Sequence, residues 1–189
     1  MTVDSSFFAK RRSVLAKKMS SKELPDHHIK EILEAGIRVP DHGALNPWKI
    51  KVIIGNKLKQ VDEEVILAEY KRQNPLASEE SLRIESTRLQ RASAVFAVLS
   101  TPVDHPKIPK WEMGLSSGAV CMNLLSCAQS LGYAAQWLTE WYAYNQKMIK
   151  YLGGRDGFDR ISGFIYVGYK KEEPNERRRP DPAKVISYI

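Results

Sequence analysis

The segment Arg38-Val-Pro-Asp-His42-Gly-Ala-Leu-Asn-Pro-Trp48 places a cation, an imidazole, an amide and an indole within eleven residues. Pro40, Pro47 and Gly43 keep it from continuing as a helix. A rigid polar loop between two regular elements is where a scaffold usually presents a ligand site. A second cluster, Lys10-Arg11-Arg12-Ser13, lies upstream. Guanidinium forks can bind two phosphate oxygens at once, and a serine hydroxyl can add a further bond. Together the clusters point to a bound anion that carries an aromatic or conjugated body. Each group also has a plainer reading. Arg11 and Arg12 can sit on an exposed helix face. Arg38 can complement a helix C-terminus, and His42 can bond its own loop. Trp137-Leu138-Thr139 can be a strand end with a packed indole, or can offer main chain and hydroxyl to a flat ring.

These residues need elements to hold them. Residues 5–19 read as a helix with an irregular exit, in which Phe7, Phe8, Leu15 and Met19 share an apolar side. Asp26 opens a second helix as a cap or first-turn acid, and Ile29, Ile32, Leu33 and Ile37 follow at helical spacing. Trp48 to Ile54 reads as a strand. Residues 56–92 are mostly helical, broken at Asn74-Pro75, with Leu76 to Arg91 polar and exposed or mobile. Ala94 to Leu99 is an apolar run suited to a buried central strand. Three prolines make 101–109 a loop. Trp111 to Leu131 is the longest helix, rich in small residues and closed by Gly132. Ala134 to Leu138 is a short strand or turn, Asn145 to Leu152 a helix, and Ile161 to Tyr169 the last strand. The tail from Glu172 is rich in proline and charge and should run extended over another surface. Three to four strands with five or six helices fit an α+β sandwich around a central sheet better than a regular βαβ alternation.

With 189 residues, the chain is expected to form one domain spanning 1–189. No stretch approaches the roughly 18 apolar residues that cross a bilayer, so no membrane partner is expected. Met1 to Ser6 lacks a basic region followed by an apolar run and does not read as a signal peptide. Cys121 and Cys127 fall six apart in one helix, so their side chains diverge by about 120° and cannot pair within the chain. Reduced cysteines without an export signal favour the cytoplasm. The net charge of +7 raises the question of nucleic acid. Acidic residues are interspersed, however, and the basic clusters lack interleaved aromatics or a recognition helix. A basic nucleic-acid adaptor is therefore the less favoured alternative, and local capture of a small anion the better account. No dinucleotide glycine fingerprint, phosphate-binding glycine loop or nucleophile elbow is present. His27, His28, His42 and His105 form no metal-ligand pattern with the cysteines, so no metal is expected.

In order, the chain carries Arg-Arg-Ser, then Arg38-x-Pro-Asp-His42 running to Pro47-Trp48. Pro109-Lys-Trp-Glu112 then opens the long small-residue helix. Gly132-Tyr133, Trp137-x-Thr139 and Gly163-Phe-Ile-Tyr-Val-Gly168 follow, and a proline-rich tail ends the set. This ordered set resembles the FMN-dependent nitroreductase family, in its short single-domain branch, over nearly the full chain. The resemblance implies an α+β sandwich with a central, mostly antiparallel sheet flanked by helices. It also implies an intertwined homodimer in which the long helix packs at the core and each of two FMN molecules touches both subunits. Arg11, Arg12 and Ser13 would hold the phosphate and ribityl side. Arg38 and His42 would reach the flavin from the other subunit. Trp137, Leu138 and Thr139 would line its ring. The family often has arginine where Leu138 stands, and Arg177 to Arg179 are candidates to supply that charge. By analogy the nicotinamide nucleotide would approach near Cys127, Ala128, Gln129, Ser130, Leu131 and Gly132.

The implied activity passes hydride from NAD(P)H through flavin N5 to a nitroaromatic or quinone-like acceptor, in ping-pong order. The cofactor carries that chemistry, so no catalytic side chain of the triad kind is expected. Arg11 and Arg38 are candidates to stabilise charge on the reduced ring. Within the same fold the alternatives are a dehalogenase, a flavin-modifying enzyme or a flavin binder.

Overall fold

The computed structural model describes residues 5–189; residues 1–4, which belong to the segment read above as no export signal, lie outside the described residues. Its centre is β3 (Ala94–Ser100), in which all seven residues are buried. β3 pairs antiparallel with β2 (Trp48–Ile54) on one side and with β5 (Arg160–Lys170) on the other. The far edge of β5 pairs with β4 (Ala134–Leu138) and, further along, with the two-residue β1 (Met19–Ser20). Every strand pair is antiparallel. The β1 pairing has no counterpart in the expected three or four strands, because two residues carry no readable period.

β3 side chains alternate between two apolar layers, as the two-residue strand repeat requires. Val95, Ala97 and Leu99 face a layer built by α3 (Asn56–Val61), α7 (Gln146–Tyr151) and Tyr142. Ala94, Phe96 and Val98 face α2 (Asp26–Gly36) and α6 (Lys110–Ser130). Helices thus flank both sides of the sheet. α2 and α6 approach closely at Gly36, where an added Cβ would lie 2.4 Å from Leu124 Cδ2.

The first helix, α1, is shorter than expected, Ser5–Lys10. Residues 11–15 are irregular, and Phe8 and Leu15 are exposed while Met19 is buried, so the expected shared apolar side does not form. Asp26 is a first-turn acid, with Pro25 at the cap position. α3 continues through a π-helical stretch, Asp62–Leu67, into α4 (Ala68–Gln73). Residues 76–91, expected to be exposed or mobile, are largely exposed from 76 to 84 and anchored from 85 to 91. They contain α5 (Glu79–Glu85) and a 3-10 turn, Leu89–Arg91, whose Leu89 is fully buried. Buried Asp62 accepts from Leu89 N at 2.8 Å and from Gln90 N at 3.2 Å, which bolts that turn to the π-helical stretch. The sequence signal missed was a single carboxylate whose partners lie about 27 positions away. After β5 the tail runs out to a last turn of helix, α8 (Pro182–Val185).

Glu69 joins α4 to α7. Its buried carboxylate takes Arg72 at 2.9 Å and Lys147 at 2.8 Å. These partners, Arg72 first, hold its pKa down from 4.5 to about 2 against the opposing effect of burial. A depressed carboxylate pKa contributes stability that is complete above the unfolded value and lost as pH falls through the folded one. The urea midpoint of the wild type should therefore drop between about pH 4.5 and pH 2 relative to that of Glu69→Gln. Parallel pH profiles for the two proteins would exclude this linkage.

Candidate functional site

The Arg11–Ala16 segment runs along the outer edge of β4. Val14 N donates to Ala135 O at 3.1 Å, and Ala16 N to Gln136 Oε1 at 2.6 Å. Gln129, in the last turn of α6, donates through Nε2 to Arg12 O at 2.6 Å. The expected phosphate cluster thus leads into a segment that lies against β4, the strand that ends in Trp137 and Leu138. Between the segment and the tail opens a cavity of about 470 Å³. Lys10, Arg11, Arg12, Lys170 and Arg179 line it against the carboxylates of Glu173 and Glu176, so it is net cationic.

Arg12 Nη1 reaches Glu176 at 2.7 Å, and Arg179 Nε reaches the same carboxylate at 3.1 Å. Arg177 N donates to it at 2.8 Å. These donors hold the Glu176 pKa below the usual carboxylate range, the Arg177 main chain contributing most. Arg12 and Arg179 thus converge on one carboxylate. Arg179 also donates to Arg11 O at 3.2 Å. Of the three tail arginines named from the sequence, Arg179 is the one that lines this cavity. Gln129 Oε1 is buried without a hydrogen-bond partner. An orphaned acceptor costs about 1–3 kcal/mol, which a ligand hydroxyl or N–H beside it would offset.

In an antiparallel ladder the N–H and C=O of one residue point the same way, and alternate residues alternate. Ala135 O serves Val14 on the outer edge, so Trp137 shares that direction. The Val14–Ala16 cover ends at Gln136, leaving the edge open from Trp137 onward. The Trp137 indole crosses β5. Its Nε1 donates to Ser162 O at 3.0 Å, and an added Cβ on Gly163 would lie 2.0 Å from that nitrogen. A register shift opposite Val98 and Leu99 leaves Ser162 as an extra residue, and its Oγ bonds Ser117 Oγ of α6 at 2.6 Å. Leu138 points the other way and packs against the layer opposite α6. Its side chain therefore brings no charge to the outer edge of β4.

The Arg38–Trp48 loop lies elsewhere. Asn123 of α6 holds Arg38 O at 2.8 Å, and His42 Nδ1 meets Glu112 Oε2 at 2.7 Å in the first turn of α6. Gly43, Ala44 and Asn46 of the loop all have positive φ. Trp48 ends that loop as the first residue of β2. It packs against the α2–α6 layer and donates to Ser116 Oγ at 3.1 Å. Glu112 and Gln129 are seventeen residues apart on α6, about 25 Å at 1.5 Å per residue. Within one chain, therefore, His42 and the Arg11–Ser13 cluster do not meet.

The 127–132 segment is not gathered into one surface. Gln129 and Gly132 line the basic cavity, whereas Ala128 is buried and Cys127 faces Glu31 O of α2. Burial pushes the Cys127 thiol up, and that of Cys121 up to about 12, so neither is an activated nucleophile. Both are free. No group of three or more His, Cys, Asp or Glu among the described residues is placed to hold a metal ion. Nor is any helix there long and apolar enough to cross a membrane.

The geometry is that of a single-layer antiparallel sheet with an anion cavity at one edge, and the model of the nitroreductase family matches residues 8–169. The chain belongs to that family. It is 26% identical over 185 residues to the Escherichia coli (strain K12) protein named "Putative NAD(P)H nitroreductase YdjA", covering 95% of each chain. Among solved structures, a nitroreductase-like family protein from Bacillus cereus superposes with a TM-score of 0.79 at 22% identity, covering 100% of this chain and 98% of that one. A Bacteroides fragilis nitroreductase with bound FMN gives a TM-score of 0.68 at 21% identity, covering 97% of each. The fold expected from the sequence is the fold observed.

Gly163→Ala should force the Trp137 indole off β5. Overpacking of this kind costs about 1–3 kcal/mol. The expected result is a lower urea midpoint together with a shifted tryptophan emission in the folded baseline. An unchanged emission spectrum would mean that Trp137 is not seated on Gly163.

Proposed function

We propose that the protein is an FMN-dependent oxidoreductase that works as a homodimer. It would pass hydride from NAD(P)H to nitroaromatic or quinone-like acceptors in ping-pong order. The observation that carries this reading is the convergence of Arg12 and Arg179 on one carboxylate in a basic cavity at the start of β4, where the Arg11–Ala16 segment begins its run along that strand. A phosphate monoester with a hydroxylated chain and a flat ring fits that arrangement part by part. Arg11, Arg12 and Arg179 receive the phosphate, with Ser13 beside them. Gln129 Oε1 accepts from a hydroxyl of the chain. The Trp137 and Thr139 peptides, with Leu138 between them, border the ring. When bound, FMN supplies the hydride chemistry, accepting and donating at N5.

The homodimer reading rests on α6. Trp111, Leu115 and Met122 are exposed along one side of it, with Gly114 and Gly118 between them. Small residues on such a stripe let a second backbone approach closely. Two copies of α6 packed antiparallel would bring Arg38 and His42 of one chain to the Arg11 end of the other. Arg38 would then add a cation near the ring, and His42, held by Glu112, would wall it. Among residues 127–132, Gln129 and Gly132 are assigned to the ligand. The chain's own work is to bind, orient and charge-balance, and no side chain is assigned a proton-transfer role.

The test is direct. Protein purified with FMN should be yellow, sediment as a dimer, and bleach anaerobically with NADH or NADPH. Material that stays colourless after reconstitution and sediments as a monomer overturns the reading. Arg12→Ala should raise the FMN dissociation constant by about 10- to 100-fold, since a charge-assisted hydrogen bond contributes about 1.5–3 kcal/mol. Flavin fluorescence titration measures it, and an unchanged constant removes Arg12 from the phosphate site.

A further inference from the structure

Glu140 follows the Trp137–Thr139 strand end directly, and its backbone lies at φ 37°, ψ 175°. That region is close to glycine-only, and a residue with a Cβ stays there when its surroundings over-determine it. The surroundings here are two arginines. Glu140 Oε1 takes Arg91 Nη2 at 2.8 Å, and Oε2 takes Arg88 Nη1 at 3.1 Å. All three side chains are less than a quarter exposed. Both arginines come from the turn that Asp62 bolts to the π-helical stretch, and Arg91 Nε bonds Arg88 O at 2.6 Å. A second brace acts one residue on, where Trp141 Nε1 donates to Glu85 at 3.0 Å and Glu85 also pairs with Arg88.

The ladder between β4 and β5 ends at Leu138 opposite Phe164. Beyond that pair the sheet no longer sets the direction of the main chain. Thr139 is therefore held by what holds Glu140. We propose that Glu140 is a positioning residue, whose carboxylate, forked by Arg88 and Arg91, fixes the exit of β4 so that the Thr139 peptide and hydroxyl face the ligand edge. The inference rests on the reading of that edge as the flavin site. It gives the Asp62–Leu89–Arg91 anchor a role in ligand binding at a distance. Arg88 and Arg91 act through Glu140 and touch no ligand themselves.

Three variants separate this from a purely structural role. Glu140→Ala removes the fork and keeps a Cβ in the strained conformation. Glu140→Gly removes the fork and relaxes the strain. Glu140→Gln keeps an acceptor without the charge. FMN dissociation constants are read by fluorescence on folded protein, beside thermal midpoints and amide exchange at residues 138–141 in flavin-free protein. Expected are constants raised roughly tenfold in Ala and Gly, the scale on which contacts that orient a binding group act, with Gln in between. Gly should be at least as heat-stable as Ala, and exchange at 138–141 should be faster in both. Constants within about twofold of the wild type, whatever the midpoints, overturn the positioning role alone. A wild type that binds no FMN overturns it together with the flavin reading.

Discussion

α6 sets the main constraint on this molecule. One side is committed to the sheet and to α2, through Val120, Leu124 and the close approach at Gly36. The other side leaves Trp111, Leu115 and Met122 in solvent. Because the helix is rigid, its length fixes how far apart the loop at its start and the cluster at its end can be. The His42–Glu112 contact marks one end and the Gln129–Arg12 contact the other. A composite site drawing on both needs a second copy running the opposite way. The same side that lacks a partner is the one that antiparallel packing would cover.

Charge in this protein works locally. A chain of net +7 could present a diffuse positive field, but many of its cations are paired with carboxylates. The basic cavity differs because its cations come from α1 and its exit, from β5 and from the tail, three segments far apart in sequence. Their convergence brings the guanidinium groups of Arg12 and Arg179 onto one carboxylate, that of Glu176, which offsets their mutual repulsion. A second charged network braces the exit of β4, beyond Leu138. There the carboxylates are shielded, and each has at least two donors, as buried charge requires.

Much of this was readable from particular residues. β2 begins and ends where the β-branched run between Pro47 and Gly55 said it should. β3 is the buried apolar run, and α6 is bounded by Pro109 and by Gly132 at φ 87°. Arg11, Arg12 and Arg179 were singled out as cations and do line one cavity. Other partnerships were not legible. Trp48 closes a polar loop, and its one N–H pairs with Ser116 of α6, a contact that no local pattern marks. Residues 85–91 belong to a polar segment, and such a segment gives no sign that a distant carboxylate will anchor its end.

The sequence alone determined the longer elements, β2, β3, α2 and α6, since strand and helix periods, prolines and glycines are local facts. It also determined the family, because ordered motifs survive where overall identity does not. Tertiary structure decided which groups meet: Gln129 with Arg12, Glu176 with Arg12 and Arg179, and Glu140 with Arg88 and Arg91. It also decided that His42 stands at the opposite end of α6 from Arg11. Contacts between residues remote in the chain depend on how the layers stack and on helix length, and no local pattern encodes those distances.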